Sequence, residues 1–302
     1  MIQPLHQAMM SIGDVTLNVR RQGDPANPMI LFLHGFPEYS GMWARLMEML
    51  SDRFFCVAPD QRGYATSSKP EGVENYAAGK IAGDAIGLIE QLSPEQPVYL
   101  VGHDWGASVA YAAAIMRPDL LQGLIIVNGV HAGPFQHALL TDPAQVQASQ
   151  YMHKLRAPEA EGRFSADGFA LLFKMFAAFS DLSWMTEDER QSYVEAWSPP
   201  GALTGMLNWY RASPVYVPTP GEDTLARENP FSDTAKLRVR PRHLLIWGQR
   251  DAALLPSCYA RLGEYCDDLK VVEIADADHW VVNAKPDLVA ETIRSFIDGQ
   301  VS

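Results

Sequence analysis

The sequence predicts an α/β protein with a mostly parallel central sheet flanked by helices and a helical segment inserted late in the chain. Three observations carry this prediction. Short, continuous apolar runs recur along the chain, as in strands buried on both faces. Stretches with helical periodicity separate them, the alternation that makes a parallel sheet covered on both sides. From about His131 to Asp233 that alternation stops, and long helical stretches follow one another with no buried strand between them.

In chain order, Gly13 to Arg20 alternates like a half-exposed strand, and Met29–Leu33 is the first fully apolar run. A helical pattern over roughly Gly41 to Leu50 precedes the run Phe54–Ala58, and a second over Tyr76 to Leu92 precedes Pro97–Val101. A small-residue helix from Ala107 to Met116 leads to Leu124–Val127. The inserted stretch contains helical patterns at Phe169 to Phe179 and Glu187 to Trp197, and it leaves through the Pro/Gly-rich segment Pro214 to Gly221. Leu244–Trp247, Val271–Ile274 and a closing helix near Pro286 to Ile297 complete the alternation. Residues 1–130 and 234–302 are therefore expected to form one core, with 131–233 as a helical cap over the carboxyl edge of the sheet, where open α/β sheets bind ligands.

With 36 acidic and 24 basic residues among 302, the net charge is −12, and no Lys/Arg run exceeds two. That balance argues against nucleic acid or an anionic membrane as partner. The start MIQPLHQAMM has no basic region followed by an apolar stretch, and nowhere do 18 apolar residues run together, so the expectation is a soluble cytoplasmic protein. Cys56, Cys258 and Cys266 are scattered without metal-ligand spacing and read as reduced packing residues. No metal or organic cofactor is expected.

The chemistry concentrates at strand ends. Gly102-His103-Asp104-Trp105-Gly106 joins an apolar strand to a small-residue helix in the frame of a nucleophile elbow, where a sharp turn exposes the central side chain. That side chain is an aspartate where a serine would be usual. Asp251 follows the run Leu244–Trp247 and His279 follows Val271–Ile274, giving the order nucleophile, acid, histidine. A lone Asp or His at a strand end is more often a cap or turn former; the ordered set points to a triad.

Taken together, "HGFPE", "DQRGYATSSKP", "GHDWGA" and "DADHW" resemble the α/β-hydrolase superfamily, and within it the branch of epoxide hydrolases and haloalkane dehalogenases. The resemblance covers essentially the whole chain and implies an α/β-hydrolase fold with an inserted cap. It also implies an aspartate nucleophile, which displaces a leaving group from saturated carbon and becomes an ester itself. Water activated by His279, with Asp251 orienting the imidazole, would then free Asp104. Backbone N–H groups of Phe36 and Trp105 would form the oxyanion hole. His34 reads as a residue that fixes its loop, and Glu38 as a solvated carboxylate at a helix start. At the alternative acid position stands Asn128, which cannot carry the charge; Asp276 and Asp278 read as turn residues.

Two cap tyrosines that clamp an epoxide oxygen are a further implication of the resemblance, and Tyr210 in Asn208-Trp209-Tyr210-Arg211 and Tyr151, seven residues before Pro158, occupy the matching places. Both, with Phe36 and Trp105, would also line the substrate pocket, while Tyr193 reads as core. A dehalogenase would take Trp105 as one halide contact and either an Asn where Phe36 stands or a cap tryptophan, among Trp184, Trp197 and Trp209, as the other. Fluoroacetate dehalogenases use arginines where this chain has Trp105 and Ser108. The expected function is hydrolysis of a small hydrophobic epoxide by water to a vicinal diol. A haloalkane dehalogenase and a non-catalytic ligand-binding protein of the same fold are the alternatives, and the sequence leaves a homodimer open.

Overall fold

In the computed structural model, which describes residues 4–301, the sheet is laid down by the apolar runs that the sequence singles out. β1 (His6–Ile12) and β2 (Val15–Gln22) form an antiparallel hairpin. β1 is half-exposed and weakly patterned, which is why the sequence signals only its partner. Then come β3 (Met29–Leu33), α1 (Ala44–Leu50), β4 (Phe55–Pro59), α2 (Ala78–Leu92), β5 (Val98–His103), α3 (Trp105–Met116) and β6 (Leu121–Val127). Six helices follow without a strand: α4 (Ala132–Thr141), α5 (Pro143–Ala148), α6 (Tyr151–Arg156), α7 (Ala160–Phe179), α8 (Glu187–Trp197) and α9 (Ala202–Ala212). β7 (His243–Gly248), β8 (Leu269–Ile274), α10 (Val281–Ala284) and α11 (Pro286–Ile297) close the chain. Within α7 the backbone leaves helical geometry from Ala166 to Phe169, so the stretch from Phe169 to Phe179 is in effect a helix of its own.

The strands order as β1-β2-β4-β3-β5-β6-β7-β8, parallel from β4 through β8. Alternation along each strand explains why the runs are apolar throughout. Leu31, Leu33, Leu100, Leu124, Ile126, Leu245 and Trp247 face one core, with α2, α3 and the inserted helices. Ile30, Phe32, Val101, Ile125, Leu244 and Ile246 face the other, with α1 and α11. Register then aligns the carboxyl ends: Leu33 pairs with Gly102, His103 with Val127, Val127 with Ile246 and Gly248 with Ile274. Every loop leaving β3, β5, β6, β7 and β8 therefore emerges along one edge, and the inserted helices lie over it. Among the described residues, no helix is long and apolar enough to cross a membrane.

Helix α3 can start directly behind β5 only because its first turn lies against the β3 backbone. A Cβ on Gly106 would overlap the carbonyl oxygen of Leu33. We expect Gly106→Ala to lower unfolding stability by about 3 kcal/mol through overpacking. Gly83→Ala, at an exposed position in α2 with nothing within 4 Å of the added carbon, should raise it by about 0.5–1 kcal/mol. Urea midpoints of the two variants test the contrast, and equal shifts would refute it.

Candidate active site

Asp104 sits between the end of β5 and the start of α3 with φ 50° and ψ −119°, a conformation that non-glycine residues seldom adopt. The turn throws its carboxylate over the sheet edge, beside the β3 loop. There the Phe36 amide donates to Asp104 Oδ1 at 2.7 Å. Gly35 keeps that approach open, since a Cβ on it would overlap the Asp104 side chain. The first N–H groups of α3, that of Trp105 included, begin directly behind Asp104, so the positive end of the helix dipole also faces it.

The structure brings His279 and Asp251 to the same point. Asp104 Oδ2 lies 3.6 Å from His279 Nε2, and His279 Nδ1 lies 2.7 Å from Asp251 Oδ2. The Asp251 carboxylate is further held at Oδ1 by the amides of Ala253 and Leu254, each at 2.8 Å. Asn128 Nδ2 donates to its Oδ2 at 2.8 Å, and Asn128 Oδ1 accepts from the Gly248 amide. Asn128, which the sequence only excludes as the acid, is thus a positioning residue for the acid.

These contacts set the charge states. Burial alone would raise Asp104, but the His279 imidazole, then His103 and the Phe36 amide, outweigh it and hold the carboxyl below its ordinary range. Burial alone would lower His279, yet the carboxylates of Asp251 and Asp104 outweigh it and push the imidazole up to about 10. Burial raises the Tyr151 and Tyr210 phenols, and the nearby Asp104 anion adds to this. Both hydroxyls stay protonated at neutral pH and are available as donors.

Tyr151 at the start of α6 and Tyr210 near the end of α9 meet above Asp104, with ring centroids 6.3 Å apart. Trp105 and Phe36 pack edge-on against Tyr210, at 5.0 and 5.1 Å, and Arg156 Nε donates to the Tyr210 carbonyl at 2.9 Å. Asp104 stands between two cavities of unequal size. One, of about 320 Å³, runs along α3 and is lined mainly by apolar side chains. The other, of about 10 Å³, lies on the His279 side beside Phe36, Phe179 and Trp280. It is the size of about one water molecule.

One expectation is overturned. Glu38 is fully buried, not a solvated helix-start carboxylate. Its Oε2 faces His103 Nδ1 at 3.2 Å, and its Oε1 accepts from the Tyr193 hydroxyl at 3.2 Å. His103 Nε2 lies 2.8 Å from the His279 carbonyl oxygen, which can only accept, so that nitrogen carries a hydrogen. A buried chain of polar groups thereby ties α8 to the histidine loop, and the reason is steric: the loop after β3 folds inward across the sheet edge before α1 begins. An ionisable residue in each of two otherwise apolar segments, Phe36-Pro37-Glu38 and Val101-Gly102-His103, is the signal that could have revealed it. His34 fixes its own loop, accepting from the Gln61 amide at 3.1 Å. Asp278 caps a turn onto the Trp280 amide, and Asp276 pairs with Lys285 near the surface.

A protein-family model described as alpha/beta hydrolase fold matches residues 28–286. The AB hydrolase superfamily protein YfhM of Bacillus subtilis (strain 168) is 33% identical, over 95% of this chain and 96% of its own. A solved epoxide hydrolase from metagenomes of hot environments superposes with a TM-score of 0.88 at 34% identity, covering 97% of this chain and 99% of that one. The Bacillus megaterium epoxide hydrolase in complex with an inhibitor gives 0.87 at 30%, covering 96% and 100%.

Removing the Glu38 side chain leaves the Tyr193 hydroxyl without its acceptor and opens a void beside His103 Nδ1 in a dry interior. Glu38→Ala should therefore cost about 3 kcal/mol of stability, and Tyr193→Phe, which leaves the His103 contact in place, about 1 kcal/mol. Denaturant unfolding checks the order; an equal or smaller loss for Glu38→Ala would contradict the network.

Proposed function

The chain belongs to the alpha/beta hydrolase fold family, and from that premise we propose that it hydrolyses epoxides to vicinal diols through a covalent ester on Asp104. Its likeness to epoxide hydrolases along nearly the whole chain supports the reaction class. One observation carries the mechanism: a carboxylate held by the Phe36 amide and His279 faces two protonated phenols across an apolar cavity.

In the first step the Asp104 oxygen not held by Phe36 attacks a ring carbon. A C–O bond forms, the ring C–O bond breaks, and its electron pair goes to the ring oxygen, which takes a proton from Tyr210 or Tyr151. The product is a hydroxyalkyl ester of Asp104 and a tyrosinate. Esterification removes one of the two anions that hold the His279 imidazole high, so its pKa falls and the imidazolium passes its Nε2 proton through water to the tyrosinate, which leaves a neutral base and a restored phenol.

Water on the His279 side then gives up a proton to Nε2 and bonds to the Asp104 γ-carbon. The oxyanion that develops on Oδ1 is met by the Phe36 amide and by the amide of Trp105, each such donor being worth about 3 kcal/mol of barrier. The tetrahedral species collapses by breaking its bond to the alkyl oxygen, which collects the proton from His279 and leaves as the diol. The proton of the regenerated acid passes to His279 Nε2, which restores the carboxylate–imidazolium pair, so the sum is epoxide plus water. Asp251 keeps His279 in the required tautomer, with Asn128 steadying Asp251. Residues 131–233 act as the cap that brings Tyr151 and Tyr210 to the reaction and excludes bulk water.

The cap tryptophans favour an epoxide over a halide. The indole N–H groups of Trp197 and Trp209 donate to the carbonyls of Pro37 and Arg62, and that of Trp184 to Ser180 Oγ. Phe36 provides no side-chain donor, and the Trp105 ring packs edge-on against Tyr210 at 5.0 Å. A leaving halide would therefore find few N–H groups, whereas a ring oxygen finds two phenols.

Supplied separately with an aryl epoxide and a bromoalkane, the protein should release diol from the first; bromide without diol would replace this reading by dehalogenation. His279→Gln should stall at the ester, so intact mass after mixing should rise by one substrate, and an unchanged mass under turnover conditions would exclude the intermediate. Tyr210→Phe should slow epoxide opening by about 100-fold with little change in the thermal midpoint; undiminished turnover would remove Tyr210 from the mechanism.

A further inference from the structure

The stripe of α3 that faces the large cavity is Trp105, Ser108, Ala112, Ile115 and Met116, spaced as one side of a helix. These positions are only half-buried or exposed, although α3 is otherwise packed on all sides. The opening bares the whole face, from the buried Asp104 end to Met116, which is 50% exposed. The exposed residues Ala78, Gly79 and Pro214 also line the cavity, so its mouth lies among them and Met116. At about 1.5 Å per residue the face is about 16 Å long, the length of an extended chain of about thirteen to fourteen carbons, which advances about 1.2 Å per bond.

Beyond Asp104 the space closes. On its far side lies the cavity of about 10 Å³, walled by Met175, Phe179 and Trp280. An epoxide carbon poised on Asp104 can therefore carry one long substituent but not two. The walls also discriminate by charge. No Lys or Arg lines the large cavity, Asp104 contributes a negative charge, and His131 is neutral there: both its ring nitrogens are engaged, with the Leu237 carbonyl and the Gly133 amide.

We propose that the preferred substrate is a terminal epoxide on a long, uncharged apolar chain that lies along α3 and points its tail at the mouth between Met116 and Ala78–Gly79. This rests on the epoxide-hydrolase reading given above and specifies its substrate class. Ala112, in the middle of the stripe, is then the position that sets chain length, because a larger side chain there blocks the passage.

The test measures kcat/KM for 1,2-epoxyalkanes from about four to about eighteen carbons, for an internal epoxide of twelve carbons with the ring at its centre, and for a ten-carbon terminal epoxide ending in a carboxylate or its methyl ester. Values should climb by about fourfold per methylene and level off at about thirteen to fourteen carbons. The central epoxide should be at least 50-fold slower than its terminal isomer, and the carboxylate at least tenfold slower than the ester. Ala112→Phe should lower the ratio of twelve-carbon to four-carbon kcat/KM at least 30-fold. Ile115→Trp, nearer the mouth, should lower it too, so the test survives if the first variant fails to fold. Rates flat in chain length, or equal for central and terminal rings, overturn the tail site while leaving epoxide hydrolysis intact. No diol from any member of the series overturns the reaction itself.

Discussion

Everything at this sheet edge depends on one backbone turn. Asp104 is held at a positive φ where the chain passes from β5 into α3, a conformation that costs on the order of 1–3 kcal/mol in a non-glycine residue. The strain is offset because the surroundings fix both ends of the turn. β5 lies between β3 and β6, and α3 is pressed against the β3 carbonyls through Gly106. The Asp104 amide donates to the Asn128 carbonyl at 3.3 Å. Relaxing the turn would break several of these contacts at once. The carboxylate therefore projects from a rigid base, and the loops after β3, β7 and β8 need only bring an amide, a carboxylate and an imidazole to it.

From that projection comes a division of labour by solvation. On one side of Asp104 the cavity is apolar and long; on the other it is small and bounded by His279. A carboxylate in a dry site should protonate, and burial pushes Asp104 that way. It remains an anion because His279 and the Phe36 amide compensate, and the same anion sustains the charge on His279. The two groups are coupled, so neutralising one changes the other. In the proposed mechanism an ester at Asp104 would let the charged imidazole lose its proton and act as a base, with no movement of the backbone.

Much of this was legible in the sequence, and the failures have a common cause. β3, β5, β6 and β7 announce themselves because strands buried on both faces must be apolar at every position. Asp104 and Asp251 stand out because each follows such a strand, and His279 because it follows the shorter run Val271–Ile274. β1 escapes because an exposed edge strand makes no such demand. Glu38 was misread because local pattern reports periodicity and not long-range burial: a carboxylate before a helix is usually solvated, and nothing local reveals that His103 and Tyr193, 65 and 155 residues away, close over it. Asn128 was judged by its charge alone, whereas its amide matters as a donor to the carboxylate in the loop after the neighbouring strand β7. Polar residues whose partners are distant in sequence are the ones a single sequence hides.

The same long-range ties bear on how a substrate arrives. The inserted helices are joined to the core by the Trp197 indole on the Pro37 carbonyl, the Trp209 indole on the Arg62 carbonyl and the Tyr193 hydroxyl on Glu38, all buried. Swinging the helices away would break all three and expose several aromatic rings, each worth on the order of 1.5–3 kcal/mol in burial. An opening of that kind is too costly to precede every turnover when a lined passage already runs from Asp104 to Met116. Under the proposed tail site, entry along α3 would leave the ties unbroken, keep Tyr151 and Tyr210 in place over the carboxylate, and make the shape of that passage the feature that selects the substrate.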